Sequence, residues 1–209
     1  VAVPAKAALP AFRRIASRSP LPVIADMHFD ASLALGAMEN GAHGIRINPG
    51  NIGGNEKLKA VVRMAAQSKI PIRIGVNAGS LEKKYRRSGL STADAMVHSL
   101  LDKIQFIEDQ HFFDLKISLK SHDVKETVAA NRLADRSCPY PIHLGVTEAG
   151  TYFSGSIRSA LGIGSLLLDG IGNTIRVSLT ADPVREIRVA RQILAAAGLS
   201  RSGIEIISC

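Results

Sequence analysis

The chain has 209 residues, 46% of them hydrophobic and 21% charged. That balance is globular and excludes a disordered tail, a collagen-like repeat or a coiled coil. Lys plus Arg is 26 against 18 for Asp plus Glu, a net charge of +8, which points to an anionic partner: nucleic acid, a membrane surface or a phosphorylated small molecule. No apolar run approaches the roughly 20 residues that span a bilayer, so no membrane segment is expected. The two cysteines, Cys138 and Cys209, make neither a disulfide framework nor a complete metal motif, and they suit a reducing compartment. A chain that starts on Val and stops on Cys, with no signal peptide, is expected to be cut from something longer.

Short apolar runs alternate with helical patterns along the chain. Strands are predicted near residues 1–3, 22–28, 44–48, 71–77, 114–120, 141–147, 173–180 and 204–208. Asp30 is placed to cap a helix that ends at Gly41. Ser91 with Asp94, and Asp123 with Glu126, resemble capping boxes. Asp182 before Pro183 is a cap and first-turn pair, and Gly198 marks where that helix stops. Strand–helix alternation of this length predicts βαβ units and a parallel sheet. Seven or eight units predict an α/β fold of the TIM type, a (β/α)8 barrel, rather than an open sheet.

The strands carry the main signal. A strand buried on both faces reads as a continuous Val/Ile/Leu run. Here they read Arg46-Ile-Asn48, Arg73-Ile-Gly-Val-Asn77, Lys116-Ile-Ser-Leu-Lys120, His143-Leu-Gly-Val-Thr147 and Arg176-Val-Ser-Leu-Thr180. Side chains alternate with period two, so one face is cationic and polar and the other is aliphatic. In a barrel the aliphatic face packs on helices, and the polar set points inward. Burying so many cations unpaired costs several kcal/mol each, and a bound polyanion is the simplest compensation.

Barrel active sites lie at the carboxyl ends of the strands. Asp26 and His28 end one strand; Arg46 and Asn48 lead into a turn; Asn77, Lys120, Thr147 with Glu148, and Thr180 end others. Arg suits phosphate because its planar fork binds two oxygens at once. Asp26, His28 and Glu148 are the candidate proton carriers.

Other features read as structural. Gly162-Ile-Gly164 and Gly170-Ile-Gly172 precede a strand rather than follow one, so helix or loop packing is expected instead of a dinucleotide site. Lys83-Lys84-Tyr85-Arg86-Arg87 carries a single aromatic and reads as a solvated loop, with RNA binding or closure over an anion as sharper alternatives. Cys138 is expected to be inert.

With these motifs laid out, the chain resembles the barrel domain of the 4-hydroxy-3-methylbut-2-enyl diphosphate synthase family. The matching strings are Ala25-Asp-Met-His-Phe-Asp30, Arg46-Ile-Asn-Pro-Gly-Asn51, Arg73-Ile-Gly-Val-Asn-Ala-Gly-Ser-Leu-Glu82, Leu144-Gly-Val-Thr-Glu-Ala-Gly150 and Gly172-Asn-Thr-Ile-Arg-Val-Ser-Leu-Thr180, with Ile206-Ile-Ser-Cys209 at the end. The resemblance implies a reductive dehydroxylation in the methylerythritol phosphate route to isoprenoids, with 2-C-methyl-D-erythritol 2,4-cyclodiphosphate as substrate. It implies a four-iron four-sulfur cluster on a separate C-terminal domain, ferredoxin or flavodoxin as electron donor, a homodimer when full length, and a cytoplasmic location. Carried over position by position, Arg46, Arg73, Lys120 and Arg176 would hold the diphosphate. Asn48, Asn77, Thr147 and Ser178 would add hydrogen bonds. Asp26 and His28 would line the same mouth, Glu148 would be the acid–base group, and Cys209 the first cluster ligand.

The family has a further strand and helix before the position of Val1. The chain is therefore expected to hold about seven of eight barrel strands over residues 1–200, with residues 201–209 starting the cluster domain. Such a piece is expected to bind substrate without turning it over. The alternatives are another phosphate-binding barrel of the pterin synthase kind, or a basic RNA-binding module. On the family reading, neither nucleic acid nor membrane is a partner.

Overall fold

The computed structural model describes residues 1–27, 31–48 and 54–200. His28, Asp30, Cys209 and the strand predicted over 204–208 lie outside the described residues. The chain groups into two compact units, Val1–Ser118 and Leu119–Cys209.

In the first unit, helix α1 (Leu9–Arg18) precedes β1 (Ile24–Met27), α2 (Ala31–Glu39), β2 (Gly44–Ile47), α3 (Asn55–Ser68) and β3 (Ile72–Asn77). A short α4 (Lys83–Arg86) and a long α5 (Thr92–Glu108) follow, and β4 (Leu115–Lys120) runs from this unit into the next. The strands lie in the order β1-β2-β3-β4, so each is beside its predecessor, as in successive βαβ units. β1–β2 and β2–β3 are parallel. The run at 1–3 lies alongside β1 as a parallel bridge from Ala2 to Asp26, with the Asp26 N–H donating to the Val1 carbonyl at 2.9 Å and the Val3 N–H to the Asp26 carbonyl at 3.4 Å.

The alternation works as the pattern demands. Ile45, Ile47, Ile72, Ile74 and Ile117 are completely buried. Helix α2 packs on β1 and β2, and α5 on β3. The register sets Asp26 opposite Arg46 and Arg46 opposite Arg73, one polar row across three strands.

In the second unit, α6 (Val124–Ser137), β5 (His143–Leu144), α7 (Tyr152–Leu168), β6 (Thr174–Ile175) and α8 (Pro183–Ala196) follow β4. β5 and β6 are parallel, His143 opposite Thr174. They are far shorter than the runs predicted at 141–147 and 173–180. The ladder ends there, although the Arg176 N–H still donates to the Leu144 carbonyl at 2.9 Å. The caps form where the sequence places them. Ser91 accepts from the Asp94 N–H, Asp123 from that of Glu126, and Asp182 from that of Val184. Gly162 lies inside α7, where an added Cβ would meet Val146, so it serves helix packing.

Among the described residues no helix is long and apolar enough to cross a membrane.

Candidate functional site

The first unit gathers Asp26, Arg46, Asn48, Arg73 and Asn77 on β1, β2 and β3. Arg46 is its centre. Its side chain is 9% exposed, and Nη1 donates to Asp26 Oδ1 at 3.1 Å. Its far side lies over Gly75 of β3. A Cβ built at position 75 would come 2.7 Å from Arg46 Nε and 2.8 Å from Nη2. The guanidinium thus spans from β1 to β3 across its own strand, because β3 has no side chain there. A glycine inside a strand marks this kind of close approach.

Asn48 is buried just past β2 and donates from Nδ2 to Ser80 Oγ at 2.8 Å. Ser80 Oγ in turn donates to the Asn77 carbonyl at 3.3 Å. So the ends of β2 and β3 are tied through a serine that sequence reasoning did not single out. Arg73 stands near the start of β3, half-buried. With His43 and Lys116 it borders a cavity at the amino-terminal end of the strands.

The turn that carries Ser80 is anchored from outside. Arg86 Nη2 donates to the Gly79 carbonyl at 2.9 Å. Tyr85 is buried and its hydroxyl donates to Asp102 of α5. Lys84 Nζ reaches the same carboxylate at 2.7 Å, and Lys103 pairs with Glu82 at 3.2 Å. The segment 83–87, predicted as a solvated loop, is therefore mostly a helix latched to α5. With Tyr85 buried and the Lys84 ammonium 4.4 Å from its ring centre, the one aromatic offers no open face to a base. Tyr85 therefore gives a nucleic acid no stacking platform.

Lys84, and then Tyr85, hold the Asp102 carboxyl below the usual carboxylate range. Burial, and then Asp102, raise the Tyr85 hydroxyl, while Asp102 raises Lys84. The sign follows from linkage. A depressed carboxyl adds stability that is full above its unfolded pKa of about 3.9 and is lost as pH falls through the folded value. We expect Asp102→Ala to speed amide exchange over 83–87 several-fold while the strands stay protected, and Asp102→Asn to flatten the acid side of the thermal stability profile. Unchanged exchange in the alanine variant would remove the latch.

The second unit holds Lys120, Thr147, Glu148, Arg176 and Ser178. Lys120 lies against Gly145, where an added Cβ would come 3.1 Å from its Cε and Nζ and 2.8 Å from the Arg176 carbonyl oxygen. Ser121 is completely buried behind Lys120. Its N–H donates to Thr127 Oγ1, its carbonyl accepts from the Thr147 N–H, and its hydroxyl donates to Glu126 at 2.6 Å. Glu126 thus leaves the expected capping box, whose return bond would go to the Asp123 N–H. Ser121 Oγ accepts from that N–H instead, at 3.1 Å. The result fixes the Lys120 end of β4 against the Thr147–Glu148 segment. Glu148 is exposed and sits at φ 51°, a left-handed conformation that strains a residue with a Cβ. Arg176 is exposed and Ser178 is half-buried.

Residues 1–191 match the family model of the GcpE TIM-barrel domain. The chain belongs to that family. It is 54% identical over 209 residues to the 4-hydroxy-3-methylbut-2-en-1-yl diphosphate synthase (flavodoxin) of Geobacter sulfurreducens, covering 100% of this chain and 59% of that protein. It is 53% identical over 210 residues to the protein of the same name from Caldanaerobacter subterraneus, with the same coverage. The chain thus spans about three-fifths of the length of the curated relatives it matches. Among solved structures it resembles the dihydropteroate synthase of Yersinia pestis, with a TM-score of 0.61 and 13% identity over 92% of this chain and 72% of that one. At that identity the likeness shows the barrel type of fold and nothing of the activity.

The iron–sulfur cluster implied by the resemblance finds no seat among the described residues. No group of three or more His, Cys, Asp or Glu there could hold a metal ion. Cys138 is half-buried, with its thiol donating to the Ala134 carbonyl at 3.5 Å.

Proposed function

We propose that this chain is the diphosphate-binding barrel of an enzyme that converts 2-C-methyl-D-erythritol 2,4-cyclodiphosphate to 4-hydroxy-3-methylbut-2-enyl diphosphate. The observation that carries the reading is Arg46. It is a buried guanidinium in a polar row with a second Arg, in a chain half-identical to synthases of that name. The register sets Arg46 beside Arg73, and a ligand carrying two phosphates suits two planar guanidinium forks on neighbouring strands.

In this reading Arg46, Arg73, Lys120 and Arg176 bind phosphate oxygens. Asn48, Asn77, Thr147 and Ser178 hydrogen-bond the ligand, Asp26 lies beside Arg46, and His28 is assigned to the same ligand by the family resemblance alone. The reaction opens the ring at a carbon–oxygen bond to the diphosphate and expels a hydroxyl as water, with two electrons taken up. The cations stabilise the charge that gathers on the released diphosphate oxygen. Glu148 hands a proton to the departing hydroxyl.

The reading carries with it a four-iron four-sulfur cluster in the whole protein, with Cys209 among its ligands, and flavodoxin, or ferredoxin, as donor. It also carries a cytoplasmic homodimer. An exposed apolar stripe on α7, made of Phe153, Ile157, Leu161 and Leu168, supports a partner surface.

Calorimetric titration of the cyclic diphosphate into the chain tests the reading. We expect binding that weakens as salt rises, and a loss of about 10- to 100-fold for Arg46→Ala. Binding that ignores both salt and Arg46 would refute it.

A further inference from the structure

We propose that Gly75 is a positioning residue for Arg46: its missing side chain is the slot that holds the guanidinium in its ligand-binding pose. The inference rests on the diphosphate reading above and adds to it a residue that touches no ligand.

The geometry is one-sided. The nearest atoms to a Cβ at position 75 are Arg46 Nε at 2.7 Å and Nη2 at 2.8 Å, followed by Ser118 Oγ at 3.1 Å. All three are side-chain atoms; no backbone atom is among them. An added methyl therefore meets the far end of a flexible side chain, which can move. The strand itself has no reason to break. Gly75 also has no positive φ to protect, so backbone freedom does not explain it. What an alanine would remove is the resting place of the guanidinium.

Asp26 holds the other side of the same group through Nη1. Between the carboxylate of β1 and the bare backbone of β3, Arg46 is confined to one lateral position. Preorganisation of this kind improves ligand affinity because less ordering remains for the moment of binding. Lys120 over Gly145 repeats the device in the second unit, but there the Arg176 carbonyl oxygen also crowds the site. Gly75 is therefore the clean test.

The experiment is a double-mutant cycle on the 209-residue chain, read by calorimetric binding of inorganic pyrophosphate at fixed low salt, with thermal unfolding alongside. Gly75→Ala is expected to weaken pyrophosphate about tenfold while the melting temperature stays within a few degrees. In the Arg46→Ala background it is expected to have no further effect, because the residue it acts through is gone. Unchanged binding in Gly75→Ala overturns the proposal. So does a loss that adds in full to that of Arg46→Ala, or a variant that no longer folds, since the Cβ would then meet something other than the arginine tip. If Arg46→Ala itself binds pyrophosphate as well as the parent, the diphosphate reading fails separately.

Discussion

Replacing Glu148 by glycine is expected to make the protein more stable and, in the whole enzyme of the proposed function, to cut turnover by about 10²- to 10⁴-fold. Glu148 has φ 51°, where its Cβ crowds the following carbonyl. Strain of that kind costs of order 1 kcal/mol and gathers at functional positions. Glycine relieves it, and about 1 kcal/mol corresponds to a rise of roughly 2–4 °C in a chain of this size. On the proposed function the same change removes the carboxyl assigned to hand on the proton, and losing a general acid typically lowers rate by about 10² to 10⁴. Two companions separate the effects. Glu148→Ala keeps the strain and loses the carboxyl, so turnover falls with no gain in melting temperature. Glu148→Gln also keeps the strain, and its amide cannot serve as the acid. Equal melting temperatures for the glycine and alanine variants would show that the backbone there is relaxed. Retained turnover in Glu148→Gln would take the proton role from this residue.

Much of this arrangement is legible in the amino-acid sequence. The alternation in Arg46-Ile-Asn48 and Arg73-Ile-Gly-Val-Asn77 requires one aliphatic and one polar face, and Ile45, Ile47, Ile72 and Ile74 are indeed completely buried. The caps at Ser91, Asp123 and Asp182 are readable because a cap depends on a few neighbouring residues. What escapes is what depends on a neighbouring strand or helix. Gly75 stands out as a glycine inside a strand, yet only the register of β2 against β3 shows that Arg46 fills its slot. Ser121 reads as a small polar residue after Lys120, and its link to Glu126 needs the turn into α6. Tyr85 looks like the aromatic of a basic loop, but Asp102, on the next helix, decides that it is an anchor. The shortness of β5 and β6 is invisible in the sequence because propensity continues where the ladder stops.

The second large effect is expected at Gly145, and it should differ in kind from that at Gly75. A Cβ at Gly145 would come 2.8 Å from the carbonyl oxygen of Arg176 and 3.1 Å from Cε and Nζ of Lys120. Lysine can swing aside, but the carbonyl belongs to the backbone beside β6 and cannot move without its neighbours. Overpacking of this sort costs about 1–3 kcal/mol. For Gly145→Ala a loss near the middle of that range lowers the melting temperature by roughly 4–8 °C. Pyrophosphate affinity should fall with it, because Lys120 loses its bed. Gly164 supplies the control: it lies inside α7 with nothing within 4 Å of an added Cβ. Alanine there should stabilise by about 0.5–1 kcal/mol, since glycine weakens a helix interior. Three glycine-to-alanine changes thus have three different outcomes: binding weakened with the fold intact at position 75, both diminished at 145, stability gained at 164. A Gly145→Ala variant that melts and binds like the parent would mean that the Arg176 backbone is free to yield, and the rigid wall of the Lys120 site would have to be sought elsewhere.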